Sequence, residues 1–295
     1  MHALTLTSDV VEVVVLPEAG ARVHSIRAFG QLLTHTPADP TTHQLNPIFW
    51  GGYHMLPWCN RVEPGPYPLL GQRFAVPANS IDGTALHGLH YVSPWDVDAT
   101  AEAVDKTTTT LRCGGGGDGE AWPWTYTASV RYAVDGPTLT VAYELTNTSA
   151  RTMPGGVGFH PWFREPTTLH VPAAHVFPDN TDTAVRPHPA RGPLDLRTPA
   201  ALAVGTDACW VGLDAPVVTL AWHELGIALT MAADDPGIVA VAANPPDRDG
   251  VAVELQTHAP AGIRRLLNAE PYALHALGAG ETLSLTLTLA HSRLP

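Results

Sequence analysis

Three polar islands interrupt a chain otherwise made of short apolar runs: Leu86-His87-Gly88-Leu89-His90, Gly158-Phe159-His160-Pro161-Trp162-Phe163 and Val253-Glu254-Leu255-Gln256-Thr257. Each sets an ionisable residue among apolar or aromatic neighbours. Such surroundings can hold two histidines and a carboxylate near neutral working pKa, which proton transfer at pH 7 requires. With Asn60-Arg61 upstream, the set reads as a site for acid/base chemistry on a small polar molecule.

The chain has 15 histidines, so residue type alone singles none of them out. Context does. His87 and His160 lie in Leu-His-Gly and Phe-His-Pro-Trp-Phe, where a pocket is a more natural setting than a solvated face. Glu254 closes the run Val251-Ala252-Val253 in phase with Ala252 and Gln256, which leaves two readings open: an exposed carboxylate on an edge strand, or a base fixed on a rigid element. Metal binding is disfavoured. His87 and His90 form only an i, i+3 pair, and His223-Glu224 lacks the second histidine of HExxH because Ile227 stands there. No GxSxG elbow is present for a serine nucleophile. Cys59, Cys113 and Cys209 are too scattered for a disulfide framework or a CxxC site, and nothing marks Cys59, beside Asn60, as a nucleophile.

The elements that must carry these residues are strands. Leu139, Val141, Tyr143 and Leu145 alternate with Thr140, Ala142 and Glu144, and Leu283, Leu285, Leu287 and Leu289 alternate with Ser284, Thr286 and Thr288. Both runs predict half-buried antiparallel strands. The β-rich segments 10–16, 126–134, 217–222, 227–232 and 251–255 are bounded by Pro, Gly, Asp or Asn, and no stretch keeps a helical stripe. An all-β sandwich or barrel follows, read as one large domain over 1–295. The stretch 178–203 reads as a long irregular excursion, with site candidates on both sides of it. Gly114-Gly115-Gly116-Gly117-Asp118-Gly119 reads as a hairpin loop, since no helix follows to complete a phosphate cradle.

Composition narrows the partners. Hydrophobic residues make up 45% and charged ones 15%, with 28 Pro and 26 Gly, which favours a globular, turn-rich protein over a disordered one. A formal charge of -12 with only 16 Lys plus Arg argues against nucleic acid. The N-terminus has no basic region ahead of an apolar one, and Glu12 interrupts the run 10–16. Neither a signal peptide nor a membrane span is expected, and cytoplasm is the default compartment.

The blocks Gly51-Gly52-Tyr53 to Pro57, Asn60-Arg61, Gly65-Pro66-Tyr67, Leu86-His87-Gly88, Trp95-Asp96-Val97, Gly158 to Phe163 and Glu254-Leu255-Gln256-Thr257 closely resemble, in order and separation, those of the aldose 1-epimerase (galactose mutarotase-like) family. The resemblance implies an antiparallel β-supersandwich with the site in a cleft of the large sheet, and no cofactor or metal. It makes His160 the proton donor and Glu254 the base. It also makes Arg61 and His87 sugar-binding residues, with Asn60 in the same motif, and Asp207 an aspartate that binds sugar hydroxyls. Better-known galactose enzymes carry Asn-His-Ser-Tyr-Phe and Glu-Pro where this chain has Phe159 to Phe163 and Glu254-Leu255, which unsettles a preference for galactose.

The implied reaction interconverts the anomers of an aldose by ring opening, with a sugar as the only partner expected. Acid and base exchange roles on closure, so a histidine near ~6.5 and a carboxylate somewhat above ~4.3 would serve. Two alternatives stand beside it. A hexose 6-phosphate epimerase would need cations for the phosphate, with Arg73, Arg164 and Arg186 as candidates. A catalytically silent sugar-binding module would need no matched acid and base.

Overall fold

Alternation in the sequence becomes pairing in space. The computed structural model describes residues 1–98, 107–182, 184 and 186–295. In it, the strand Thr138–Asn147 pairs antiparallel with Thr282–Arg293, with Leu139 opposite Leu289 and Leu145 opposite Leu283. The alternating leucines, valine and tyrosine of both strands point into one core while the threonines and serine between them face outward. Burying each such side chain is worth about 1.5–3 kcal/mol, so this face fixes the register.

Among the described residues the fold is two large sheets, of eleven and eight strands. The expected segments become the strands Val11–Leu16, Tyr126–Asp135, Val217–Trp222, Ile227–Ala233 and Val251–Gln256, all paired antiparallel. The helices described are short: Thr42–Leu45 and Gly262–Leu267, with three single 3-10 turns. None is long and apolar enough to cross a membrane. The glycine run ends the strand Thr108–Gly115 and opens the connection to its hairpin partner Tyr126–Asp135. Of the irregular stretch 178–203, Leu196 and Leu202 reach the same core as the sheets.

One hydrophobic cluster runs from Leu6 to Leu289 and draws on both sheets. A polar bridge crosses it: His54 meets the hydroxyl of Tyr143 at 2.7 Å through Nδ1 and that of Tyr132 through Nε2, while Tyr132 donates to the Ala21 carbonyl at 2.7 Å. Each polar group at this dry junction has its partner, so the bridge adds specificity without an unpaired penalty.

The middle of the larger sheet positions the site. Strand Gly158–Phe163 lies between Gly52–Met55 and Val251–Gln256. With Phe159 opposite Leu255 and Trp162 opposite Ala252, His160 and Glu254 face each other across neighbouring strands. Phe159, Phe163, Val251, Val253 and Leu255 point into the sandwich. His160, Trp162 and Glu254 therefore share the other face.

Candidate functional site

That face forms the floor of a cavity of about 470 Å³, and Asn60, Arg61, His87, His160, Asp207 and Glu254 all line it. They come from five separate stretches of chain. Glu254 lies on a central strand and is 2% exposed, so of its two sequence readings the edge strand is excluded. His160 Nε2 and Glu254 Oε1 are 3.1 Å apart, close enough to serve one sugar ring together.

Asn60 and His87 reach the cavity on two strained segments that meet in one tight junction. Both have left-handed backbones, at φ 53° and 60°, and His87 N–H donates to the Asn60 carbonyl at 3.1 Å. The Asn60 side chain accepts from the N–H of Arg61 at 2.8 Å. Strain of this kind costs of order 1–3 kcal/mol per residue and persists where its surroundings over-determine it. Here the pairing of Arg61 with Leu86 and the bridge from Leu56 to Gly88 pin both sides of the junction. Gly88 is obligatory, because at φ 77° a Cβ would fall 1.9 Å from the Leu56 carbonyl oxygen.

Arg61 enters the cavity between carboxylates. Its Nε donates to Asp82 at 2.8 Å, and a terminal nitrogen lies 3.6 Å from Asp207, which also accepts from the Asn180 amide at 2.8 Å. The Asp82 carboxyl is held below its usual range by hydrogen bonds from Thr84 and Arg61, which outweigh its burial. Burial pushes Asp207 upward against the pull of Arg61.

Electrostatics at the centre differ from the sequence expectation of a histidine near its ordinary value beside a slightly raised carboxylate. Burial drives the His160 imidazole down to about 3, with Arg22 and Arg61 adding to the shift. Burial pushes Glu254 well above the carboxylate range, helped by Asp207 and opposed by Arg61. His87 is pushed well down by burial and by its neighbours His160 and Arg61. Desolvation thus works against both charges of the pair, lowering the imidazole and raising the carboxyl on either side of the 3.1 Å contact.

The sequence model of the aldose 1-epimerase family matches residues 2–289. The chain belongs to that family. No curated protein matches it by sequence. Solved structures share its fold: a protein from Escherichia coli K12 (20% identity, 99% of each chain, TM-score 0.85), a galactose mutarotase-like protein from Clostridium acetobutylicum (15%, 98% of this chain and 95% of that one, 0.85), and galactose 1-epimerase from Lactobacillus acidophilus NCFM (17%, 99% and 94%, 0.76).

In this member of the aldose 1-epimerase family, several residues in the lining or packed against it carry no sequence signal of their own. Tyr53 stacks on His160, with ring centroids 4.4 Å apart and planes 24° apart. It was visible only as part of the Gly-Gly-Tyr block. Asp82 is announced by nothing beyond turn residues. Phe49 and Arg248 stack at 3.5 Å on the cavity rim, 199 positions apart in the chain. Of the cations considered for a phosphate, none lines the cavity: Arg73 lies outside it, Arg164 lines a neighbouring depression, and Arg186 pairs with Glu270 at 2.7 Å. Cys59 is buried, and its thiol is pushed well up by burial and by Glu254, the reverse of an activated nucleophile.

Proposed function

We propose that the protein interconverts the α and β anomers of a free aldose, with Glu254 and His160 as its proton-transfer pair. The observation that carries this reading is the 3.1 Å contact between His160 Nε2 and Glu254 Oε1 on the floor of a cavity lined by groups able to bind hydroxyls. Mutarotation needs such a pair. The carboxylate of Glu254 takes the proton of the anomeric hydroxyl while the imidazolium of His160 gives one to the ring oxygen, and the C1–O5 bond opens to an aldehyde. After rotation about C1–C2, the hydroxyl adds to the other carbonyl face and both protons return. The net proton count of the pair is unchanged, so no external acid or base is consumed.

A proton must sit on His160 for opening. Arg61 stabilises the Glu254 carboxylate, its pull opposing burial there. Arg61, His87, Asn60 and Asp207 then hold sugar oxygens, with His87 as a neutral imidazole able to donate or accept. A free sugar fits better than its 6-phosphate, because Arg73, Arg164 and Arg186 stay outside the cavity while the two arginines that line it are already paired, Arg61 with Asp82 and Arg248 with Asp247.

Polarimetry or NMR of anomer exchange across free aldoses and their 6-phosphates tests the reading. Exchange of at least one free aldose well above the buffer rate is expected. Turnover confined to phosphates would transfer the activity to a hexose 6-phosphate epimerase. Calorimetric binding of a sugar without exchange would make the protein a sugar-binding module instead.

A further inference from the structure

Beside the cavity, on the same face of the sheet, lies a positive charge sealed from water. Arg22 is 0% exposed, and every N–H direction of its guanidinium is used. Nε donates to the Ala19 carbonyl at 3.1 Å. One terminal nitrogen donates to His43 Nδ1 at 3.1 Å and the Trp50 carbonyl at 3.4 Å, the other to the carbonyls of Pro47 at 2.7 Å and Tyr91 at 3.0 Å. All five acceptors are neutral. His43 is one of them, its imidazole driven down to about 3 by burial and by Arg22 itself. Burial lowers the guanidinium only to about 10, so the charge is present at neutral pH.

A buried charge without a counter-ion is expensive, and an apolar side chain of similar length would avoid the expense. The site explains why it is kept. The Arg22 guanidinium carbon lies 5.3 Å from the centroid of the Tyr53 ring, whose stacking partner at 4.4 Å is His160. Placed end to end, these steps set the charge no more than about 10 Å from the imidazole, through dry protein where screening is weak. We propose that Arg22 is a positioning residue for proton transfer: its fixed charge, behind the Tyr53 ring, disfavours the imidazolium of His160 and so sharpens that histidine as an acid. The proposal rests on the reading of His160 and Glu254 as the working pair.

The groups around His160 leave this role open to Arg22. Tyr53 backs it from one neighbouring strand and Glu254 meets it from the other. The His87 ring approaches edge-on at 4.9 Å, Trp162 lies at 5.6 Å on its own strand, and Arg61 with Asp207 stands further along the cavity. Arg61 is compensated by Asp82 and Asp207, whereas Arg22 has only dipoles around it. Those dipoles belong to the segments that wall the cavity: the carbonyls of Pro47 and Trp50 flank the lining residues Ile48 and Phe49, and that of Tyr91 follows the turn bearing His87.

Arg22→Lys keeps the charge but cannot make five hydrogen bonds, and Arg22→Met loses both. Any loosening of the walls therefore appears in both variants, and the electrostatic effect in Arg22→Met alone. The readout is the ¹⁵N chemical shift of the His160 ring at pH 7, assigned by its loss in His160→Asn. It reports how far the imidazole is protonated, and it needs no turnover. In Arg22→Met the ratio of imidazolium to imidazole should rise several-fold, while Arg22→Lys keeps the wild-type ring shift. An unmoved shift in Arg22→Met, or an equal displacement in both variants, overturns the proposal. If Arg22→Met fails to fold, Arg22→Gln, which loses the charge but keeps part of the hydrogen bonding, is read against Arg22→Lys in its place with the same two outcomes. Because the NMR signal is independent of substrate, absence of anomer exchange in the wild type would sink the proposed activity without touching this result.

Discussion

At the residue scale, Glu254 and Arg61 line one cavity but should fail differently when changed. Glu254→Gln keeps shape and loses basicity, so kcat should fall by about 10²–10⁴-fold with KM little changed. His160→Asn should do the same from the acid side. Arg61→Ala removes charge-assisted hydrogen bonds worth about 1.5–3 kcal/mol, which predicts a rise in KM of roughly 10–100-fold and a smaller change in kcat. Steady-state kinetics on the best aldose measure all three. Wild-type kcat in Glu254→Gln would remove Glu254 as the base. Dialysis against a chelator should leave exchange unchanged, because among the described residues no three His, Cys, Asp or Glu side chains converge as a metal site would require.

At the scale of elements, the junction that carries Asn60 and His87 is the most sensitive part of the site. Gly88→Ala would drive a methyl into the Leu56 carbonyl, a backbone atom that cannot rotate away. A loss of about 1–3 kcal/mol of stability is expected, with activity reduced because His87 shifts with its neighbour. A urea midpoint unchanged from wild type would contradict that. The same contrast explains what could be read from the sequence. The leucine-threonine alternation around residues 139 and 285 was legible because one face of each strand meets the core and the other is more exposed. The strands Gly158–Phe163 and Val251–Gln256 are buried at all six positions each, so polarity no longer marks which face is which. Hence Glu254 could be singled out by type, while its central position and its register against His160 could not. Tyr53, Asp82 and Arg248 were harder still, since long-range pairing and turns bring them to the cavity or against its lining residues, and no local pattern records either.

On the scale of the whole molecule, burial of neutral histidines couples stability to pH. His43, His54 and His160 are driven down to about 3, and His90 and His258 to about 4, desolvation being the largest cause for each. An unfolded chain protonates the same residues near ~6.5. Between that value and the folded ones the unfolded state binds more protons, so stability is full above pH 6.5 and is lost as pH falls. Each such histidine costs about 1.4 kcal/mol between pH 7.5 and 5.5, so five cost on the order of 7 kcal/mol, comparable to the whole stability of a typical domain. Glu254 acts in the opposite sense: raised in the folded state, it holds its proton more tightly there and offsets part of that loss. The net expectation is a steep, cooperative loss of structure within about a unit of pH 5.5. Urea midpoints at pH 7.5, 6.5 and 5.5 should fall progressively, most between the last two. A flat series would mean that these imidazoles can be protonated within the fold. Replacing His54 with Gln, which cannot charge, should make the decline shallower by about 1.4 kcal/mol over that range, separating the linkage of one bridge residue from its packing.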